Sequence, residues 1–459
     1  MSIGTWCLIY GNLFCIIKLI SNRFLSFESH PEWDLYGDNI LECWRLVEYA
    51  LKGEYEIDIK GELNVIEPTI NLIKNNSQIK LNLFPSTKNL NLKIKEKLYS
   101  ENSTLRESPD VILFNTKEKF IYTFEFCSAL PAGNNAWQRQ GRALSLSLNG
   151  IKHFHIAKLG GYELDKNREK KSPRLPNPLI LISYLKMSSL FYLGKSFFVP
   201  IISDDTPELI KSKMGQFDCK NLLSSLICGI LTNTNTDKYE KDLIHSSIGL
   251  INSISKKETN EKEFNQAEWV ELANKAYKSN ENLLDFLLDK RKISWKKSAP
   301  TNKSSTGKVL QSYLENNTYA LGAKNLPICL LANYQIKSFE DFLQNLYEIE
   351  SNRVDLSKVY GGTLLITCDS GFKPRGDDSR PARGLTPFAR SLMPNKDSSK
   401  LLVFLYGPCP LYQWEEIKSG NFKALAEKNG LWESIYKMAD YLILDSEKHP
   451  HPLFISINK

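Results

Sequence analysis

The sequence predicts an α/β protein, and three observations predict it. Apolar residues recur at helical spacing over 38–53 and again over 135–148. Short β-branched and aromatic runs of strand length lie between and after those two stretches, giving an α-β-β-β-α-β order. Helical spacing returns from 207 to 288, and strand-like and helical segments alternate again toward the end. The expected organisation is therefore an N-terminal α/β domain over 38–206, a helical module over 207–289, a basic linker over 290–308 and a C-terminal α/β domain over 309–459. At 459 residues, with 42% hydrophobic and 24% charged content, the chain is long enough for two or three domains, and its composition excludes a largely disordered or collagen-like protein.

Residues 1–37 read as an N-terminal extension. Their apolar stretch from Trp6 to Ile17 lacks a basic flank and a small-residue cleavage site, and it falls short of the roughly 20 residues of a membrane span. Asp38 then serves as a helix N-cap and Gly53 as a stop, with Ile40, Leu41, Trp44, Val47 and Leu51 on the apolar face. That face places Glu48 at its margin and Glu42 on the opposite side. Residues 55–98 alternate as short strands, for instance Ile79-Lys80-Leu81-Asn82-Leu83. Residues 111–114 and 120–128 form an antiparallel hairpin around a polar turn. The helix over 135–148 carries Trp137, Gly141, Leu144 and Leu148 on one side and Gln138, Arg142 and Ser145 on the other. A strand over 151–159 follows, then a Pro- and Lys-rich loop with Lys166, Arg168, Lys170, Lys171 and Arg174. In the C-terminal domain, strands are expected over 362–368 and 400–406 and helices over 385–393 and 431–442.

Lys plus Arg exceed Asp plus Glu by 59 to 52, a net charge of +7. The segment 290–308 alone, with seven basic and no acidic residues, equals that excess. Nine widely spaced cysteines suggest neither a disulfide framework nor a zinc site and fit a reducing cytoplasm. Ser304-Ser305-Thr306-Gly307-Lys308 lacks the leading Gly and trailing Ser/Thr of a phosphate-binding loop, which excludes an ATPase of that class. His153 and His155 share a strand face but have no third ligand in view, so they read as structural.

The hairpin carries the chemistry. With its turn at 116–119, Asn115 faces Phe120 and Asp110 faces Glu125, and directly opposed residues have Cβ atoms about 4.5–5.5 Å apart. Two carboxylates so close repel unless a proton or a cation intervenes, and a hard divalent ion is the usual solution. Asp110 and Glu125 are thus candidate Mg²⁺ ligands.

Pro109-Asp110, fourteen intervening residues and Glu125-Phe126-Cys127 at a strand end, followed by a helix and a strand, resemble the PD-(D/E)XK nuclease superfamily. The resemblance covers about 38–159. It implies a restriction-endonuclease-like core, a mixed sheet flanked by helices, with 38–206 as the nuclease domain. It also implies Mg²⁺-assisted phosphodiester hydrolysis by a DNA endonuclease, with a type II restriction enzyme as the specific expectation. The Lys that the family places two residues after the Glu is Cys127 here. A neutral thiol cannot supply that charge, so Gln138, Arg139 or Arg142 of the next helix are the candidates to replace it, and Glu48 matches the helix Glu that often completes such sites.

The segment 367–390 joins Asp369 at a strand end to Lys373, Arg375, Arg380 and Arg383, a polar loop whose Arg forks suit phosphates or guanine edges. The C-terminal domain is accordingly expected to read the target, and both basic loops are expected to hold phosphates. Expected partners are DNA, a cognate methyltransferase or another defence subunit, and a second copy of the chain, with no membrane. Two alternatives stand beside the nuclease reading. One is a non-catalytic nucleic-acid-binding or defence-system subunit with a decayed nuclease fold, suggested by Cys127. The other is a nucleotide-binding or phosphoryl-transfer site in the 369–383 loop.

Overall fold

A computed structural model describes residues 31–52, 55–60, 69–74, 77–101, 103–105, 107–127, 139–164, 170–255, 265–279, 283–284, 286, 309–310, 312–314, 319–321, 328–347, 354–370, 386–393, 399–406, 411–419, 421, 431–445, 449 and 452–457. The first elements are strand β1 (Glu32–Gly37), helix α1 (Ile40–Leu51), strands β2 (Glu56–Lys60), β3 (Thr69–Lys74) and β4 (Ser77–Phe84), and helix α2 (Leu92–Leu98). Strands β5 (Val111–Asn115) and β6 (Ile121–Cys127), helix α3 (Gln140–Leu148), strands β7 (Lys152–Lys158), β8 (Gly161–Leu164) and β9 (Lys170–Arg174), helix α4 (Pro178–Met187) and strand β10 (Ser196–Ile201) follow.

Eight of these strands form one mixed sheet in the order β10-β7-β6-β5-β1-β4-β3-β2, while β8 and β9 pair separately. The hairpin register is the expected one, with Val111 opposite Phe124 and Phe114 opposite Ile121. Lys119 adopts φ 61° in the turn, the left-handed conformation that closes it. Strand β6 runs parallel to β7 after the α3 crossover, and β7 parallel to β10 after α4.

Of the stretch expected as an extension, residues 1–30 lie outside the described residues, and residues 32–37 form strand β1, which lies inside the sheet between β4 and β5. Its Trp33 and Leu35 are fully buried, and the Trp33 indole donates to the carbonyl of Leu231 at 3.1 Å. Helix α1 packs on one face of the sheet through Cys43, Leu46, Val47 and Ala50. On the other face lie α2, whose Ile94 and Leu98 join Tyr36, Ile112 and Phe114, and α3 and α4.

Helices α5 (Glu208–Met214), α6 (Lys220–Leu231), α7 (Asp237–Ile254) and α8 (Gln266–Lys278) occupy the stretch expected to be helical. They pack on helices α1 and α4 and directly on the first sheet, against β10. The Ser224 hydroxyl of α6 donates to the carbonyl of Tyr49 at 2.5 Å, and the Lys152 ammonium donates to Glu240 of α7 at 2.5 Å.

A second sheet has the order β11-β12-β13-β14-β15-β16. It comprises β11 (Tyr319–Leu321), β12 (Ile328–Leu331), β13 (Leu364–Ser370), β14 (Lys400–Tyr406), β15 (Tyr441–Asp445) and β16 (Leu453–Ser456), with β13, β14 and β15 parallel. Helix α9 (Asn333–Tyr347) covers one face. Helices α10 (Thr386–Ser391), α11 (Leu411–Lys418) and α12 (Leu431–Met438) lie on the other. The helix expected over 431–442 ends at Met438, because Asp440 ties the chain to β14: its backbone N–H donates to Leu401 O at 2.8 Å and its carboxylate accepts from Leu401 N at 2.9 Å. A short wholly apolar run such as Tyr441 to Leu444 fits a buried parallel strand as well as a helix.

The architecture is α/β, with a large mixed sheet flanked by helices. Among the described residues no helix is long and apolar enough to cross a membrane.

Candidate functional site

The antiparallel register of β5 and β6 ends at Val111 opposite Phe124, and the next residues outward, Asp110 and Glu125, come into contact there. The Asp110 N–H donates to Glu125 Oε2 at 3.3 Å, and the Phe126 N–H donates to Asp110 Oδ2 at 2.9 Å. Glu125 lies on the Thr123 face of β6, under α3 and α4, and is fully buried. Arg142 of α3 reaches both acids: its Nη1 lies 2.5 and 2.6 Å from the two Glu125 oxygens and 3.3 Å from Asp110 Oδ1. Its Nε lies 3.5 Å from Glu107. Arg139, which opens α3 with φ 72°, places its Nε 2.7 Å from Glu125 Oε1.

Burial pushes the Glu125 carboxyl up to about 7, helped by the Asp110 charge and opposed by Arg142 and Arg139. Burial also works against the Arg142 charge, but Glu125, Glu107 and Asp110 together hold that guanidinium more firmly protonated than in water.

Asp110 belongs to a second group as well. One carboxylate oxygen each of Asp38, Glu42 and Asp110 lie within 4.8 Å of one another. Asp38 sits between the end of β1 and α1, and it accepts from the Thr87 hydroxyl at 3.2 Å. Its N–H donates to Glu42 Oε2 at 3.2 Å and to the Asp110 carbonyl at 3.3 Å. Burial, then the Asp110 and Asp38 charges, raise the Glu42 carboxyl above its ordinary value. Three oxygen donors brought together from separate positions are the donor set a hard divalent cation prefers.

Helix α1 supplies Glu42 to this group, whereas Glu48 is exposed and stands outside it. The expected apolar face of α1 is turned by about 100°, one residue, from the buried one. The sheet takes Cys43, Leu46, Val47 and Ala50, leaving Leu41 48% exposed. Small Cys43 and Ala50 let the helix approach the strands closely, and the Cys43 thiol reaches the carbonyl of Leu35. That rotation carries Glu48 away from the sheet and brings Glu42 to the flank facing Asp110. The cap is Asn39, whose side chain accepts from the N–H groups of Leu41 and Glu42; this frees Asp38, expected as the cap, to face Asp110. Asp38 and Glu42 are the residues that sequence reasoning missed. The available signal was their spacing of four across a helix start, with Asn39 as the alternative cap.

Cys127 is buried at the end of β6. Gln138, Lys166, Arg168, Lys373, Arg375, Arg380 and Arg383 lie outside the described residues. Lys170 and Lys171 fall on β9, and Arg174 is exposed at its end. His153 and His155 are fully buried beside Thr123 and Glu125. The His155 Nδ1 shares a 2.6 Å hydrogen bond with the Tyr184 hydroxyl, and His153 Nδ1 a 3.0 Å bond with Thr123. Burial lowers His155 to about 3 and His153 well below its ordinary value, so both stay neutral.

Comparison of the chain with protein-family models, curated proteins and solved structures finds no match.

Proposed function

We propose that this protein is a metal-dependent nuclease that hydrolyses phosphodiester bonds in DNA, in the manner of a type II restriction enzyme. The observation that carries the reading is the double engagement of Asp110, which faces Arg142 and Glu125 on one side and Asp38 and Glu42 on the other. The order of an antiparallel pair β5–β6, helix α3 and parallel strand β7 supports the restriction-endonuclease-like core that the PD-(D/E)XK resemblance implies.

Asp38, Glu42 and Asp110 would hold the ion, with Mg²⁺ the proposed occupant. When bound, it supplies Lewis-acid polarisation of the phosphate and a lowered pKa for water. The chain's own groups do the rest. The Phe126 N–H and Arg142 fix the Asp110 carboxylate, so it cannot turn away from Asp38 and Glu42. Glu125 anchors the largely buried Arg142 and the more open Arg139, whose guanidinium groups would stabilise charge growing on the phosphate. They take the electrostatic part of the cation missing at Cys127, though an arginine does not release a proton.

The complete engagement of buried Glu125 by two arginines also favours a second reading, a nucleic-acid-binding defence subunit in which this network is purely structural. Supercoiled plasmid incubated with Mg²⁺ or with EDTA decides between them. The nuclease reading expects nicking or cleavage in Mg²⁺ that is abolished by EDTA, by Asp110→Asn and by Glu42→Gln. DNA binding without any cleavage would transfer the protein to the second reading.

A further inference from the structure

We propose that the segment from Thr87 to Lys97 is a phosphate track, a surface that receives a nucleic-acid strand as it leaves the carboxylate group. The proposal deepens the nuclease reading and rests on it for the choice of partner. The track begins at the acids themselves, since the Thr87 hydroxyl donates to Asp38. A short 3₁₀ turn, Thr87–Asn89, leads from there into α2. Lys88, Lys93, Lys95 and Lys97 follow one another, with Glu96 the one acid among them.

The packing forces this charge outward. Ile94 and Leu98 are buried against Tyr36, Ile112 and Phe114, so Lys93 and Lys97, one turn apart, share the solvent face. Neither is held in an ion pair among the described residues. With Glu96, Ser100, Leu148, Asn149 and Leu193 they line an open cleft of about 400 Å³, in which two lysines outnumber the one acid. A seven-residue helix is about 10 Å long, which matches about three nucleotides of one strand at 3.4 Å each.

Exposed Leu92 and Leu193 beside the lysines would also suit an anionic bilayer. Continuity with Asp38 favours the nucleic acid, because a strand held on α2 is led to the carboxylates, whereas a bilayer has no use for them.

The test is binding of a labelled 20-base-pair duplex and a 20-nucleotide single strand, in EDTA at 50 and 200 mM salt, by wild type and the double variant Lys93→Gln/Lys97→Gln. We expect at least a tenfold loss of affinity at 50 mM salt. The salt slope should become shallower by about 1.8 for the duplex or 1.4 for the single strand, two phosphate contacts' worth. Thermal unfolding should be unchanged, and so should hydrolysis of the small diester bis(p-nitrophenyl) phosphate in Mg²⁺. Wild-type affinity and slope in the double variant would overturn the track. So would a wild type that binds no nucleic acid, or lysine-dependent binding to phosphatidylserine vesicles in its place. Lysine-dependent binding by a protein that never cleaves keeps the track and removes the nuclease.

Discussion

Arg142 touches Glu107, Asp110 and Glu125 together, so Arg142→Ala leaves buried acids without their cation. Breaking a buried pair from one side costs about 3–5 kcal/mol. Because the Glu125 carboxyl already sits near 7, above its ordinary value, the folded chain binds a proton there more readily than the unfolded one. Its contribution to stability therefore declines as pH rises from about 4.5 through about 7, and losing Arg142 raises that folded value further. The variant should lose more stability at pH 8 than at pH 5, as read from urea midpoints; an equal loss at both would show that Glu125 does not titrate in this range. His153 and His155 work with the opposite sign. Burial depresses both, so the unfolded chain takes up protons first as pH falls below about 6.5, and stability drops. His155→Gln, which keeps an acceptor for the Tyr184 hydroxyl, should flatten that acid limb by up to about 1.4 kcal/mol per pH unit. An unchanged limb would place the acid sensitivity elsewhere.

At the level of elements, the start of α1 does two jobs. Asn39 caps the helix with two hydrogen bonds, and the same turn sets the angle between Asp38 and Glu42. Asn39→Ala should cost about 1 kcal/mol, and it should also shrink the rise in melting temperature produced by millimolar Mg²⁺. A variant that loses stability but keeps the full Mg²⁺ effect would separate the cap from the carboxylate group. Farther along, the turn after α4 crosses the start of β7 so closely that a Cβ at Gly194 would lie 2.5 Å from both the N and the O of Ile151. Backbone on both sides cannot give way easily, so Gly194→Ala should be strongly destabilising, by several times the roughly 1 kcal/mol of an ordinary mutation. Near-wild-type melting would show that the crossing can open.

On the scale of the whole molecule, the two sheets share one apolar core. It runs from Leu35 and Phe124 of the first sheet to Val403 of the second and to Phe388 and Trp414 of the helices on its face. Polar ties reinforce it: the Tyr192 hydroxyl donates to Ser391 O at 3.3 Å, and Lys437 Nζ to Ser103 O at 3.0 Å. A shared core argues for one cooperative transition. Calorimetry together with near- and far-ultraviolet circular dichroism should give coincident unfolding, and two resolved steps would show that the sheets are energetically separate.

The opposition of Asp110 and Glu125 was determined by the sequence, because a hairpin's register follows from its turn and the side-chain period of two admits no partial slip. The strand over 400–406 and the α3 crossover were legible for the same reason, that local spacing decides them. Helix α4 and strand β10 escaped a periodic reading, since α4 is buried almost all round and its apolar residues show no preferred face. The rotation of α1 was decided only by tertiary structure. Helical periodicity limits which residues share a side, but the sheet chose the side carrying Cys43 and Ala50, small enough for close approach, over the bulkier stripe of Ile40, Trp44 and Leu51. That choice, made by packing between elements far apart in the chain, set Glu42 and not Glu48 beside Asp110.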